Sequence, residues 1–276
     1  MQSTYESTSR FVVANGIRIH YHEAGSGPAL LLIHGGAPGA FGWGNFGRNL
    51  NALASRFRTL IVDMPGYGQS DKPTLDSGRH AFCAQTFRDM LHALDIEKTH
   101  VLGMASGGSV AAIMAIEYPE IVDRLVLVGA AGGHSVYHVK PFQSASQIYL
   151  GGSGPSYEKM RSYLNQLVYD PTLITDEVIN ERYQASIAED FLHQAPEGRG
   201  EARHAPATLW KRLDQIKAKS LIIWGRENRV QSFENAIFMV KAIPDAELHI
   251  FGQCGLWVPY EKAAEFEELI SCFLSR

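Results

Sequence analysis

Cysteine is scarce in this chain of 276 residues: Cys83, Cys254 and Cys272 are the only three, and none stands in a CxxC pair. They cannot form a disulfide framework at this length, so a reducing, cytoplasmic setting is expected. Basic runs are missing as well. Lys and Arg number 25 against 29 Asp and Glu, a formal charge of -4, so nothing could track a phosphate backbone and nucleic acid is not an expected partner. No apolar run approaches the roughly 18 residues of a membrane span. The polar stretch Met1 to Arg10 lacks the apolar core of a signal peptide, so neither a membrane nor a leader is expected. The histidines do not gather with carboxylates into a ligand pattern, and the expectation is no metal and no cofactor.

What is present is a chain with 45% apolar and 20% charged residues, enough to bury about three quarters of its surface and still hold a ligand cavity. Alternating runs at Phe11–Val13 and Ile17–Tyr21 flank Asn15-Gly16, a dipeptide suited to a two-residue hairpin turn. Short, continuously apolar runs follow at Ala29–Ile33, Thr59–Val62, His100–Leu102 and Leu125–Val128, then at Ser220–Trp224 and Glu247–Phe251. Runs of this kind are strands buried on both faces. Helical spacing separates them at Phe46–Ala54, Ala81–Leu94, Gly107–Tyr118, Phe233–Ala242 and Glu261–Phe273. The alternation predicts an α/β layer fold, a mostly parallel twisted sheet with helices on both faces. Between His134 and Ala205 the strand signal stops and helical patterns appear at Tyr157–Val168 and Asp176–Phe191. Residues 134–205 are therefore expected to form a helical cap inserted into a core of residues 1–133 and 206–276.

After the strand at His100–Leu102 comes Gly103-Met104-Ala105-Ser106-Gly107, then Gly108 and a helix. Glycines two before and two after a central residue, between strand and helix, match a nucleophile elbow, a tight turn that lifts the central side chain into a pocket. The central residue is Ala105, whose methyl group attacks nothing. Ser106 is one position past the apex. It reads either as an oxyanion-hole donor through its main-chain N–H or as a displaced nucleophile.

With these residues the chain resembles the α/β-hydrolases, in particular the meta-cleavage product hydrolases that split carbon–carbon bonds in ring-opened catechols. The resemblance runs nearly end to end. It rests on His34-Gly-Gly-Ala-Pro-Gly39 with Gly42-Trp43-Gly44-Asn45, on Asp63-Met-Pro-Gly-Tyr-Gly-Gln-Ser70, on the elbow, on Ile223-Trp224-Gly225-Arg226 and on Cys254-Gly-Leu-Trp257. It implies an α/β-hydrolase fold and dimers, which are common in that family. Carried over position by position, the nucleophile falls on Ala105, the acid on Asn228 and the histidine on Leu256. None of the three can do hydrolytic work there. Glu227 neighbours the acid position but has no imidazole to orient, and Gly129, Ala130 and Ala131 leave no acid after the fourth core strand. The resemblance places Gly36 and the Ser106 N–H at the oxyanion hole. It places Asn45, Arg182 and Trp257 around the acidic keto-enol end of a substrate, with Met104 making that end less polar.

These substitutions lead to the expectation of a cofactor-independent, non-hydrolytic enzyme. It would cyclise, rearrange or couple an aromatic or polyketide-like carbonyl compound held between core and cap, by oxyanion stabilisation and positioning. The alternatives are a catalytically silent ligand-binding protein and a hydrolase with a relocated nucleophile such as Ser106. Among the other candidates, His34 is read as a brace for the glycine turn, His20 and His22 as surface residues of the hairpin, and Cys254 as a buried spectator. His134 and His138 are possible replacement acid–base groups.

Overall fold

The computed structural model describes residues 3–75, 78–130, 132, 149–189 and 208–276. An eight-stranded sheet runs in the order β1-β2-β4-β3-β5-β6-β7-β8. Strands β1 (Ser9–Ala14) and β2 (Ile17–Ala24) form the antiparallel hairpin, with Asn15 at φ 50° and Gly16 at φ 76°, as its turn dipeptide requires. β2 joins β4 (Arg58–Val62) antiparallel, and the rest pair in parallel: β3 (Ala29–Ile33), β5 (Thr99–Met104), β6 (Val122–Val128), β7 (Lys219–Gly225) and β8 (Ala246–Phe251).

Every residue of β3 is buried, the signature of a strand covered on both faces. Leu31 and Ile33 point into one core with Phe87 and Met90 of α4 (Arg79–Ala93) and Val110 and Met114 of α5 (Ser106–Glu117). Leu30 and Leu32 point into the other, with Leu50 and Leu53 of α3 (Leu50–Ala54) and Phe266 and Ile270 of the last helix, Ala263–Leu274. Between β6 and β7 no strand occurs among the described residues. Two helices lie there, Tyr157–Leu167 and Asp176–Ile187, each N-capped by the hydroxyl that precedes it, Ser156 accepting from the Lys159 N–H and Thr175 from the Val178 N–H. They close over the C-terminal ends of the strands. The Leu256 and Trp257 N–H groups both donate to the Leu167 carbonyl, and a Cβ on Gly39 would stand 2.1 Å from the Arg182 carbonyl.

Three helices differ from the sequence reading. The Phe46–Ala54 pattern is broken into α2 (Gly42–Phe46), a 3-10 turn (Gly47–Asn49) and α3. Glu261–Phe273 is split at Lys262, with a short helix Val258–Glu261 opened by Pro259. The helix from Asp176 ends at Ile187, because Ala188 is extended at ψ 135°. His20 and His22 are not at the surface: both are buried, because an unpredicted helix, α1 (Tyr5–Thr8), lays the Tyr5 ring across them 6.1 and 4.5 Å away, with Trp43 closing the far side of His22. Among the described residues no helix is long and apolar enough to cross a membrane.

Candidate active site

The elbow stands between β5 and α5. Ala105 takes φ 48° and ψ −115°, a combination that costs a residue with a Cβ of order 1–3 kcal/mol and that the surrounding packing imposes. A Cβ on Gly107 would meet the Ile33 and His34 carbonyl oxygens at 2.4 Å, and one on Gly103 the Gly107 carbonyl at 2.2 Å. The glycines thus let helix and strand touch, and the Ala105 N–H donates to the Val128 carbonyl at 2.9 Å.

The other two substituted positions approach the same strand end. A Cβ on Gly129 would lie 2.5 Å from Leu256 Cδ1 and 3.4 Å from Asn228 Nδ2, so a side chain at 129 is excluded on steric as well as sequence grounds. Asn228 Oδ1 accepts from the Val230 and Gln231 N–H groups at 2.9 and 3.0 Å, making it a loop brace, while its Nδ2 is buried with no partner among the described residues. Glu227 is turned outward, to Arg226 at 2.7 Å and the Cys254 N–H at 3.1 Å.

Asn45, Met104, Arg182 and Trp257 come together. Arg182 Nη2 donates to Asn45 Oδ1 at 2.5 Å, Asn45 Nδ2 reaches Met104 Sδ at 3.5 Å, and the guanidinium lies 5.0 Å from the Trp257 ring centroid. Arg182 is only 3% exposed. Among the described residues its Nε and the Trp257 Nε1 are buried without partners, and no carboxylate lies within ion-pair distance of the guanidinium. Burial lowers its pKa to about 10, with Glu181 opposing that only through space. A buried cation without an ion pair is costly.

Gly36 and Ser106 are in contact, since a Cβ on Gly36 would lie 3.1 Å from Ser106 Oγ. Among the described residues neither main-chain N–H has a partner, as an oxyanion hole requires. The Gly36 carbonyl accepts from Tyr67 Oη at 3.0 Å. His34 is buried and braces the turn: Nδ1 donates to the Gly35 carbonyl at 2.7 Å and Nε2 accepts from the Met64 N–H at 3.0 Å. Burial holds its pKa down to about 4, which keeps the ring neutral in that role. Cys254 is buried with Sγ 3.7 Å from Glu261 Oε1, so burial and the carboxylate push its thiol well above the ordinary range. His134 and His138 lie outside the described residues.

Sequence reasoning missed His80. Its Nε2 lies 2.9 Å from Ser106 Oγ, and beside the pair is a cavity of about 20 Å³ lined also by Tyr67 and Cys83, room for one water molecule. No local motif links two residues 26 positions apart on different helices. The link arises because α4 and α5 pack side by side with their N-termini at the same end of the sheet.

A family model described as the alpha/beta hydrolase fold matches residues 28–263. A 2-hydroxy-6-oxo-6-phenylhexa-2,4-dienoate hydrolase of Comamonas testosteroni is 37% identical over 93% of this chain and 91% of its own. A 2-hydroxy-6-oxononadienedioate/2-hydroxy-6-oxononatrienedioate hydrolase of the same organism is 34% identical over 98% of this chain and 97% of its own. Among solved structures, a serine-to-alanine variant of a meta-cleavage product hydrolase from Pseudomonas fluorescens, complexed with acetates, superposes with a TM-score of 0.86 at 33% identity, covering 97% and 98% of the two chains. These relatives overturn the expectation of a non-hydrolytic cyclising, rearranging or coupling enzyme, because proteins this similar over their whole length are named hydrolases. The substituted triad positions and the replacement groups behind that expectation leave out His80, which helix packing brings to Ser106. By the family model, the full-length similarity and the sheet topology together, the chain belongs to the α/β-hydrolase fold family, among the meta-cleavage product hydrolases.

Proposed function

We propose that the protein hydrolyses a carbon–carbon bond in a 2-hydroxy-6-oxo-dienoate, the substrate class for which its relatives are named, with Ser106 as nucleophile and His80 as its base. The observation that carries this reading is the 2.9 Å hydrogen bond between Ser106 Oγ and His80 Nε2 at the elbow. Nucleophile and base within hydrogen-bond reach is the geometric requirement for activating a serine.

The roles follow from position. The substrate carboxylate pairs with Arg182, which has no ion-pair partner among the described residues, and Asn45 fixes the guanidinium. Ser106 Oγ attacks the distant keto carbon and its proton passes to His80 Nε2. The Gly36 and Ser106 N–H groups face the resulting oxyanion; a nucleophile's own N–H serves the same purpose in the serine-protease template. For the carbon–carbon bond to break, the substrate's 2-hydroxyl proton first moves to the carbon beside the keto group, giving the 2-keto tautomer. The released electron pair then passes through the enone to the 2-oxygen at the Arg182 end, and the resulting dienolate takes up the proton from His80. A water molecule, deprotonated by the same imidazole, hydrolyses the acyl-serine.

The test is turnover of the phenyl-substituted dienoate, followed by loss of its visible absorbance, in the wild type and in Ser106→Ala and His80→Gln. Wild-type turnover that falls at least a hundredfold in each variant supports the assignment. Absence of turnover in the wild type overturns the activity, and turnover that persists in Ser106→Ala overturns the nucleophile.

A further inference from the structure

A serine–histidine–aspartate relay lies outside this site, at the hairpin. Ser9 Oγ is 2.8 Å from His20 Nε2, and His20 Nδ1 is 2.8 Å from Asp63 Oδ2. We propose that Ser9 is an activated nucleophile that accepts acyl groups from activated esters, with His20 as base and Asp63 as the residue that positions it.

The direction of each hydrogen bond is fixed by what surrounds it. Asp63 is buried and accepts from three donors: His20 Nδ1, the Gly42 N–H at 2.7 Å and the Gln69 N–H at 2.9 Å. Although burial works against its charge, these hydrogen bonds, the one from His20 first, hold its carboxyl below the usual range. An ionised Asp63 can only accept, so His20 Nδ1 donates to it, and in the neutral imidazole that a base requires Nε2 offers its lone pair to Ser9. Among the described residues Ser9 Oγ has no other partner, so its hydroxyl proton points at that lone pair.

The neighbouring Thr8–His22 contact is an internal contrast. There the hydroxyl donates to the Thr4 carbonyl at 2.8 Å, leaving His22 Nδ1 to donate to Thr8 Oγ1 at 3.0 Å. One hairpin thus carries two hydroxyl–imidazole pairs of similar length, of which only Ser9–His20 has the polarity that raises nucleophilicity. The imidazole is shielded by Tyr5 and by Phe11, whose ring centroid is 5.0 Å away, and a relay withdrawn from water is electrostatically stronger. Ser9 itself is partly exposed on the edge strand. Phe11 and Val13, 45% and 68% exposed, continue from it as an apolar strip for the acyl chain.

In the reaction, Ser9 Oγ bonds to the acyl carbon as its proton moves to His20 Nε2. The ester carbon–oxygen bond breaks, and the leaving alkoxide or phenolate takes that proton, leaving acyl-Ser9 and a neutral relay. The inference is independent of the dienoate site, since labelling is read residue by residue.

The experiment treats the whole protein with p-nitrophenyl acetate and locates acetyl groups by fragmentation of the tryptic peptide Met1–Arg10, which also carries Ser7. Ser7 is exposed, and its hydroxyl donates to the Thr4 carbonyl rather than to an imidazole, so it reports intrinsic serine reactivity on the same peptide. Acetylation of Ser9 at least tenfold faster than Ser7, falling to the Ser7 level in His20→Gln, supports the proposal. Ser9 acetylated no faster than Ser7 in the wild type overturns it, whether or not Ser106 is labelled. If His20→Gln does not fold, the wild-type comparison of the two serines still decides.

Discussion

Replacing Arg182 with methionine should separate recognition from stability. The guanidinium is buried, donates to Asn45 and lies over Trp257, and among the described residues no carboxylate lies within ion-pair distance of it. A pKa lowered to about 10 by burial corresponds to about 3 kcal/mol of charge held in the fold against its hydration. Opposing that are the hydrogen bond to Asn45, about 1.5–3 kcal/mol for a charged donor, and the cation–π contact, about 0.5–2 kcal/mol. The two sides nearly cancel, and the long apolar methionine fills much of the vacated volume, so unfolding free energy should change by no more than about 1 kcal/mol. Binding has no such compensation. A charge-assisted bond to a carboxylate in a dry site is worth about 1.5–3 kcal/mol, which raises KM for the dienoate between about tenfold and about a hundredfold. Urea denaturation and steady-state kinetics on the same preparation measure both. A large loss of stability with KM unchanged would refute the reasoning and make Arg182 a structural cation.

Three further outcomes are expected. Because burial lowers the His34 pKa to about 4 while the unfolded chain titrates near 6.5, the unfolded state binds the proton first. Stability is therefore full above pH 6.5 and declines as pH falls toward 4, with about 3 kcal/mol from this residue; urea midpoints at pH 7 and 4.5 should differ less in His34→Gln than in the wild type. Ala105→Ser, Asn228→Asp and Leu256→His together should raise p-nitrophenyl ester turnover above the wild type, while each alone should not, because triad members act as a unit. Iodoacetamide should alkylate exposed Cys272 in the folded protein and spare Cys83, whose thiol burial pushes up to about 12, and Cys254; mass mapping before and after denaturation checks this.

The parts of the fold that were legible in the sequence are those set by short-range rules. Ala29–Ile33 is a strand with the limits its apolar run indicates, and Asn15-Gly16 turns the hairpin as its backbone preferences require. Asn45, Met104, Arg182 and Trp257 were named from four separate segments and meet in the structure. What escaped depended on packing between distant segments. His20 and His22 alternate on a strand in a way that suits a solvated face, and only α1, a four-residue helix too short for periodicity to register, covers them. His80 gained its meaning from the side-by-side placement of α4 and α5, which no spacing encodes.

The unusual backbone of Ala105 bears on how such chains change over generations. Its left-handed φ is enforced by Gly103, Gly107 and Gly108, where any side chain would collide with main chain or with Ala130, and by the bond from the Ala105 N–H to Val128. Those constraints belong to the junction of sheet and helix and do not require a reactive group at the apex. A lineage can therefore exchange the apex residue without loosening the turn, whereas a glycine on either side cannot vary without pushing helix from strand. Chemistry is the freely mutable layer of this architecture and the glycine frame the sterically fixed one. A chain that keeps the frame can change its apex residue, and with further substitutions its chemistry, without rebuilding the turn.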